Sequence, residues 1–184
     1  MQSLAELKRT TRLEIAGNCY LRPIVEADVT QAYVDGLNNP LVNQYLVASR
    51  KRKQTLETVR AYARHNHESE NELLFGIFID DGLRGTVRLQ HIDRDTSSAH
   101  LGIALFDIKY WGWDKGWGLK ACRAVISFAH KVLGLSRLHA GMIAQNIGSR
   151  KFLAELGFQY RSDRDMVDAD GVTHHFWELD LKGR

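Results

Sequence analysis

The sequence predicts an α+β fold in which a mixed, mostly antiparallel central sheet of about seven strands is flanked by about four helices. Three features predict it: three strands joined too tightly for crossover helices, a glycine-rich loop that opens a long amphipathic helix, and alternating strands and helices after it. The 184 residues suffice for one domain with a buried core. We expect that domain over residues 17–184, preceded by a polar arm of residues 1–16 that is loose or forms a short helix.

The first half of the chain predicts one strand and two helices before a three-stranded meander. The strand covers residues 18–22 and stops at Pro23, and the first helix ends near Gly36. The second helix opens at Thr55. An apolar run and two alternating runs, separated by turn sequences, then predict the meander. Its strands are residues 73–79, 83–90 and 99–105.

The second half begins with a glycine-rich loop over residues 110–118, which opens the most strongly amphipathic helix of the chain. A strand over 137–144, a short helix over 149–156 and two further strands around Asp170-Gly171 complete the pattern. Because strand, helix, strand and helix alternate here after an antiparallel meander, the sheet is predicted to be mixed.

Composition and charge argue against several functional classes. There are 25 Lys and Arg residues against 22 Asp and Glu, a formal charge of +3, which gives no reason to expect nucleic acid as a partner. No apolar run reaches the roughly 18 to 20 residues of a membrane span, and residues 1–15 lack the apolar core of a signal peptide. Cys19 and Cys122 form no Cys-x-x-Cys motif. We expect a cytoplasmic protein with no metal, membrane or nucleic-acid partner.

The glycine-rich loop predicts an anion site. Gly116, Gly118 and Ala121 satisfy G-x-G-x-x-A at a helix start, where backbone amides and the helix dipole favour phosphate or pyrophosphate. No Walker A motif occurs, and residues 141–145 lack the acid that a nicotinamide dinucleotide site requires about 20 positions onward. The alternative that the glycines only form a tight turn stays open.

Several motifs together resemble the GNAT N-acetyltransferases, in particular their ribosomal-protein-type (RimJ/RimL-like) branch. The most specific block is Asn146-Ile-Gly-Ser149-Arg150-x-Phe152-Leu-x-x-Leu156-Gly157-Phe158, and further matches are Leu21-Arg22-Pro23, Asn39-Pro40 and Ala99-His-Leu-Gly102. The resemblance covers about residues 18–181. One departure is Trp113-Asp114, which is inserted between Gly112 and Lys115 in the loop.

The resemblance implies acetyl-CoA as cosubstrate, no metal, and a pantetheine arm lying between two splayed strands. It places the pyrophosphate on the backbone amides of Lys115, Gly116, Trp117, Gly118 and Leu119. It places the amide that meets the developing oxyanion at Leu105 or Phe106, and it makes Asn146 and Ser149 cofactor-binding residues.

Two side chains are candidate catalytic residues. His100 stands where the family often carries a glutamate, and the ordinary imidazole pKa near 6.5 suits a general base; the alternative is a histidine on the polar face of a strand. Ser149 could protonate the leaving thiolate, as the resemblance allows, or simply cap the short helix. Spare carboxylates that could relay a proton through water are Glu72, Asp107 and Glu178.

We therefore expect an N-acetyltransferase in which a primary amine attacks acetyl-CoA directly within a ternary complex, since Cys122 lies on the core stripe of its helix. The basic run of residues 50–53 favours a small anionic acceptor such as an amino sugar, and a protein N-terminus is the alternative acceptor. A non-catalytic acyl-CoA-binding module and a nicotinamide oxidoreductase are the alternatives from other classes. The sequence leaves monomer or homodimer open.

Overall fold

The structure is a computed structural model that describes residues 2–46, 52–112 and 116–183. Within them one sheet of nine strands is accompanied by six α-helices. The helices are α1 (Leu4–Thr10), α2 (Gln31–Asn38), α3 (Pro40–Asn43), α4 (Leu56–Glu68), α5 (Trp117–Lys131) and α6 (Ile147–Glu155). The strands are β1 (Leu13–Ala16), β2 (Cys19–Pro23), β3 (Leu73–Ile79), β4 (Gly82–Asp93), β5 (Ser98–Leu105), β6 (Arg137–Ile143), β7 (Gln159–Tyr160), β8 (Met166–Val167) and β9 (Thr173–Asp180).

The sheet confirms the predicted fold class. Its strand order is β1-β2-β3-β4-β5-β6-β9-β7, with β8 also paired to β9. Of these pairings only β5 with β6 is parallel; the others are antiparallel. The two strands beyond the expected seven are the four-residue β1 and the two-residue β7, which are too short to leave a clear alternating pattern in the sequence.

Alternation along the strands gives the sheet two apolar faces. In β3, Phe75 and Ile77 belong to the larger core with α1, α5 and α6, whereas Leu74 and Phe78 belong to a second core with α2 and α4. Every residue of β3 is buried, which explains why this strand is one continuous apolar run. No helix in the described ranges is long and apolar enough to cross a membrane.

Residues 2–16 include a helix and a strand that pack with the rest of the described chain on both sides of the boundary expected at residue 16. Leu4 and Leu7 of α1 are buried in the larger core, and β1 adds a strand to the sheet beside β2. Lys8 is also buried, and its ammonium donates to the Asn66 and His67 carbonyls at 2.7 and 3.0 Å, at the end of α4. The segment was interpreted as a polar arm because the sequence alone does not show that Lys8 is buried.

Candidate active site

The site is a cleft that opens where two neighbouring strands separate. β5 pairs with β6 only from Ser98 to His100, and beyond that point β5 follows β4 while β6 follows β9. The gap holds a cleft of about 660 Å³. Its walls include residues 101–105 of β5 and 140–143 of β6, the start of α5, and α6. β5 and β6 therefore separate because β5 stays paired with β4 and β6 stays paired with β9.

One backbone amide of β5 is directed into this gap. The Phe106 N–H donates to the Arg84 carbonyl at 3.2 Å, and the hydrogen-bonding direction alternates along an antiparallel strand. The Leu105 N–H therefore points away from β4, toward the space that β6 has left. The Leu105 carbonyl accepts the Trp111 indole N–H at 2.9 Å, which fixes this strand end. Of the two predicted amide donors, Phe106 is excluded because its N–H is already used.

The start of α5 borders the cleft with its first backbone amides. Gly116 adopts φ +60°, the left-handed region that favours glycine, and its own N–H donates to the Gly112 carbonyl at 3.4 Å. The Lys120 N–H is the first to bond back, to the Gly116 carbonyl. The N–H groups of residues 117–119 make no hydrogen bond within the described part of the chain. They converge at the positive end of a 15-residue helix, which suits an anion.

Gly118 lets α5 approach β5 closely. A Cβ at this position would lie 3.1 Å from Leu105 Cδ1 and 3.3 Å from atoms of Ile103 and Phe152. Of the residues predicted to supply amides, 117–119 lie at the helix start, whereas Gly116 is the turn residue, whose N–H donates to the Gly112 carbonyl. Lys115 and the inserted Trp113-Asp114 lie outside the described residues.

At the start of α6, Asn146 and Ser149 occupy different positions and have different roles. The Asn146 side chain accepts the Ser149 N–H at 2.9 Å, so Asn146 is the N-cap of the helix. The alternative that Ser149 caps α6 is wrong, because Ser149 lies inside the first turn. Both residues line the cleft, and the Ser149 hydroxyl makes no hydrogen bond to the described residues.

His100 is the last residue of β5 that pairs with β6, and its side chain does not line the cleft. Its ring packs against the rings of His91 and His139, at centroid distances of 5.7 and 5.2 Å. Burial, followed by the proximity of His139 and His91, lowers the pKa of His100 to about 4. The imidazole is therefore neutral and weakly basic near pH 7, which disfavours the predicted role of general base.

The three carboxylates considered as proton relays are each held by arginine. Arg88 Nη2 lies 2.7 Å from Glu72 Oε2, and Arg84 Nη1 lies 3.3 Å from Asp107 Oδ2. Glu178 is surrounded by Arg137, Arg161 and Arg164 at 3.9, 3.2 and 3.4 Å. None of the three carboxylates lines the cleft, so none is placed to take a proton from an amine directly.

The far side of the cleft, which sequence reasoning missed, combines a polar row on β4 with aromatic side chains. Thr86, Arg88 and Gln90 lie at alternate positions of β4 and all line the cleft, together with Tyr45 and Tyr62. The alternation of polar and apolar residues in β4 predicted this polar face. The sequence pattern could not show that this polar face borders a cavity, because the cavity depends on the positions of α3 and α4 relative to β4.

A model of the Acetyltransferase (GNAT) domain family matches residues 18–159. The chain belongs to the GNAT acetyltransferase family. Probable N-acetyltransferase YjcK of Bacillus subtilis (strain 168) is 37% identical to this GNAT chain over 115 residues, 60% of each protein, so the match spans only that share of the relative's length.

Solved structures show the same fold. A Salmonella typhimurium acetyl transferase described as modifying the N-terminal serine of ribosomal protein L7/L12 has a TM-score of 0.78 at 16% identity, over 93% of this chain and 99% of its own. The microcin C7 self-immunity acetyltransferase MccE, in complex with acetyl-CoA and AMP, has a TM-score of 0.76 at 16% identity, over 91% and 94%.

Family membership confirms the predicted family, fold and acetyltransferase class, and acetyl-CoA is the cosubstrate predicted from the sequence. The residues of the cleft fit that cosubstrate: the amides of residues 117–119 suit its pyrophosphate, and the gap between β5 and β6 suits an extended arm. Across residues 2–46, 52–112 and 116–183 no group of three or more His, Cys, Asp or Glu side chains is arranged to hold a metal ion.

Proposed function

We propose that this chain transfers the acetyl group of acetyl-CoA to a primary α-amine, by direct attack in a ternary complex, and that a polypeptide N-terminus is the preferred acceptor. The observation that carries the proposal is the cleft itself. The first amides of α5, which bond to no described residue, lie at one end and the polar row of β4 lies at the other. Donor and acceptor can thus enter from opposite sides of the sheet and meet at β5.

The chain contributes two groups at the meeting point. When bound, acetyl-CoA supplies a thioester carbonyl that an amine attacks, releasing the CoA thiol. The Leu105 N–H, directed into the gap, is the candidate donor to the developing oxyanion. The Ser149 hydroxyl, on the α6 side of the cleft, is the candidate donor to the departing sulfur.

Direct attack is supported by the state of both cysteines. Burial raises the pKa of the Cys122 thiol far above its ordinary value and that of Cys19 to about 11, and both side chains are buried. Thiolates are therefore scarce near neutral pH, and neither sulfur lines the cleft.

The choice of an α-amine follows from the side chains of the cleft. In the described part of the chain no histidine or carboxylate lines it, so no strong base meets the incoming amine there. At about pH 8 an α-amine with an ordinary pKa of about 7.7 to 8.0 is about half neutral, whereas less than about 1% of a lysine side chain is. An acceptor that already loses its proton near neutral pH suits such a site.

A small anionic acceptor, such as a nucleotide-linked amino sugar, is the second candidate. The basic run that favours it spans residues 50–53, of which Arg50 and Lys51 lie outside the described residues. The Salmonella neighbour described as acting on an N-terminal serine supports the polypeptide acceptor, and the MccE neighbour bound to AMP supports the small one.

The test is a thiol-release assay at about pH 8 with acetyl-CoA and three acceptors, combined with calorimetry of acetyl-CoA binding. The acceptors are a peptide with a free N-terminus, an N-blocked peptide containing lysine, and a nucleotide-linked amino sugar. We expect release with the free N-terminus and little with the blocked peptide. Faster release with the amino sugar would replace the preferred acceptor by the second one. Acetyl-CoA binding without release against any amine would instead support the non-catalytic module.

A further inference from the structure

Arg88 occupies a distinctive position in the polar row of β4. It lines the cleft directly opposite Gly102 of β5, its Cα partner in the sheet. Gly102 is exposed, and a Cβ built on it would meet no atom within 4 Å. The space in front of the Arg88 guanidinium is therefore open, and a strand glycine of this kind marks a place where another chain can approach the backbone.

The guanidinium is held in place but not saturated. Its Nη2 donates to Glu72 Oε2 at 2.7 Å, and Glu72 is only 7% exposed. The Tyr62 ring lies 5.2 Å from Arg88 Cζ, on the α4 side of the cleft. Arg88 Nε is buried with no hydrogen-bond partner among the described residues, and a quarter of the side chain remains exposed. An arginine has five N–H donors, so donors are left over for a ligand.

We propose that Arg88 is a specificity-determining residue that donates a hydrogen bond to a carbonyl oxygen of the acceptor, so that the enzyme selects amines carrying an acyl group, as in a peptide N-terminus. Glu72 is the positioning residue that orients the guanidinium. This inference rests on the proposed function, because it specifies which α-amines the same cleft accepts.

The ion pair argues for a neutral carbonyl and against a carboxylate. Glu72 compensates the charge of Arg88 and already accepts from its Nη2, so a second carboxylate would place two negative groups on one guanidinium. A peptide or amide carbonyl requires only one donor and no net positive charge. We therefore expect an amino-acid amide to be a better acceptor than the free amino acid.

The distance along the strand is compatible with this role. Gly102, opposite Arg88, precedes Leu105 by three residues, or about 10 Å of strand. The arginine side chain together with one or two acceptor residues spans that length. An amine attacking beside the Leu105 amide can thus place its first or second carbonyl near Arg88.

Arg84 provides a matched control. It lies on the same strand as Arg88, pairs with Asp107 at 3.3 Å, and has the Tyr110 ring 5.0 Å from its Cζ. Its Nε is likewise buried without a partner in the described residues, but Arg84 does not line the cleft. The two arginines therefore have similar structural surroundings and differ in access to the acceptor.

The experiment compares L-alanine amide with propargylamine, an amine of similar basicity that lacks a carbonyl oxygen, in the full chain. We expect Arg88→Lys to lower kcat/KM for alanine amide by about tenfold or more and for propargylamine by less than about threefold, because only the amide loses a hydrogen bond. Arg84→Lys should change both values equally. Wild-type enzyme that acetylates alanine amide but not propargylamine would also support the proposal.

Glu72→Gln supplies a second readout. Gln can still accept from Arg88 but leaves the guanidinium with a net charge, so the ratio of kcat/KM for free alanine to that for alanine amide should rise about fivefold or more. Equal losses for both amines in Arg88→Lys, or an unchanged ratio in Glu72→Gln, would overturn the role of Arg88 while leaving acetyl transfer established. If wild-type enzyme acetylates no amine although acetyl-CoA binds, the proposed function fails, and this inference fails with it.

Discussion

At the residue scale, the structure assigns helix capping to Asn146, whereas the sequence left open whether Ser149 caps α6 or donates a proton. Asn146 caps α6 through its side chain, whereas the Ser149 hydroxyl lines the cleft without a hydrogen bond to the described residues. The cap is a contribution to stability, and the free hydroxyl is available for chemistry. The two can therefore be separated by mutation.

Ser149→Ala should lower kcat by about ten- to a hundredfold, since a proton donor to the leaving thiolate is lost. The melting temperature should change little, because the Asn146 cap is retained. Steady-state kinetics at saturating acetyl-CoA measures the first effect and thermal unfolding the second. Asn146→Ala is the control, which should cost about 1 kcal/mol of stability. A normal kcat in Ser149→Ala would remove the serine from the mechanism.

His100 should report on stability and not on the rate. Its pKa is about 4 in the folded chain and 6.5 when unperturbed, so between these values the unfolded chain binds more protons. The free energy of unfolding therefore rises with pH across this window, and this contribution is lost as the pH falls from 6.5 toward 4.

Thermal unfolding of the wild type and of His100→Gln between these pH values checks this. We expect the stability of the variant to fall less steeply as the pH is lowered from 6.5 to 4. Some decline should remain, because burial also lowers the pKa of His139. Activity between pH 6.5 and 9 should keep its profile in His100→Gln. Loss of the acidic limb of the profile, on which the rate rises with pH, would restore His100 as the base.

At the scale of elements, α1 is joined to the end of α4 by a buried lysine. The Lys8 ammonium donates to carbonyls of Asn66, His67 and Ser69, which the helix leaves without partners at its C-terminus. Burial lowers the pKa of Lys8 from its ordinary value, and the Glu72 charge partly opposes that shift. The contact fastens the N-terminal segment to a helix that flanks the cleft.

Lys8→Met should destabilise the protein by about 2 kcal/mol, since several hydrogen bonds to a charged group disappear and the carbonyls stay buried. For a chain of this length that is a fall of about 4 to 8 °C in melting temperature. Arg9→Met changes the neighbouring exposed residue and should have an effect within about 0.5 kcal/mol. If residues 1–16 were a loose arm, the two variants would behave alike.

At the scale of the whole molecule, the parallel contact between β5 and β6 is short, and the two strands diverge around the cleft. A ligand that lies in the gap and bonds to α5 therefore touches both parts of the sheet. Such binding stabilises the folded state, because the unfolded chain has no cleft.

Acetyl-CoA at about a hundred times its dissociation constant should add about 2.7 kcal/mol to the stability, or about 5 to 10 °C in melting temperature. Thermal unfolding with and without the ligand measures this shift. NADH at the same concentration is the control and should produce a much smaller shift, because residues 141–145 lack the acid that a nicotinamide dinucleotide site requires. A shift with NADH but not with acetyl-CoA would contradict the assignment of the cleft.

The sequence alone was enough to predict the family, the mixed sheet, the main strands along the chain and the glycine-rich start of α5. These depend on local patterns: alternation in the meander, the helical stripe of α5, and the Asn146 to Phe158 block. Such patterns depend on periodicity and turn chemistry, which are properties of residues close together in the sequence.

The tertiary structure decided which groups have access to the reaction. Whether the Leu105 or the Phe106 amide faces the gap depends on pairing with Arg84, and the weak basicity of His100 depends on histidines from other strands. Arg88 borders the cleft only because α3 and α4 lie above β4. These properties arise from contacts between distant parts of the chain, which a local pattern in the sequence does not contain.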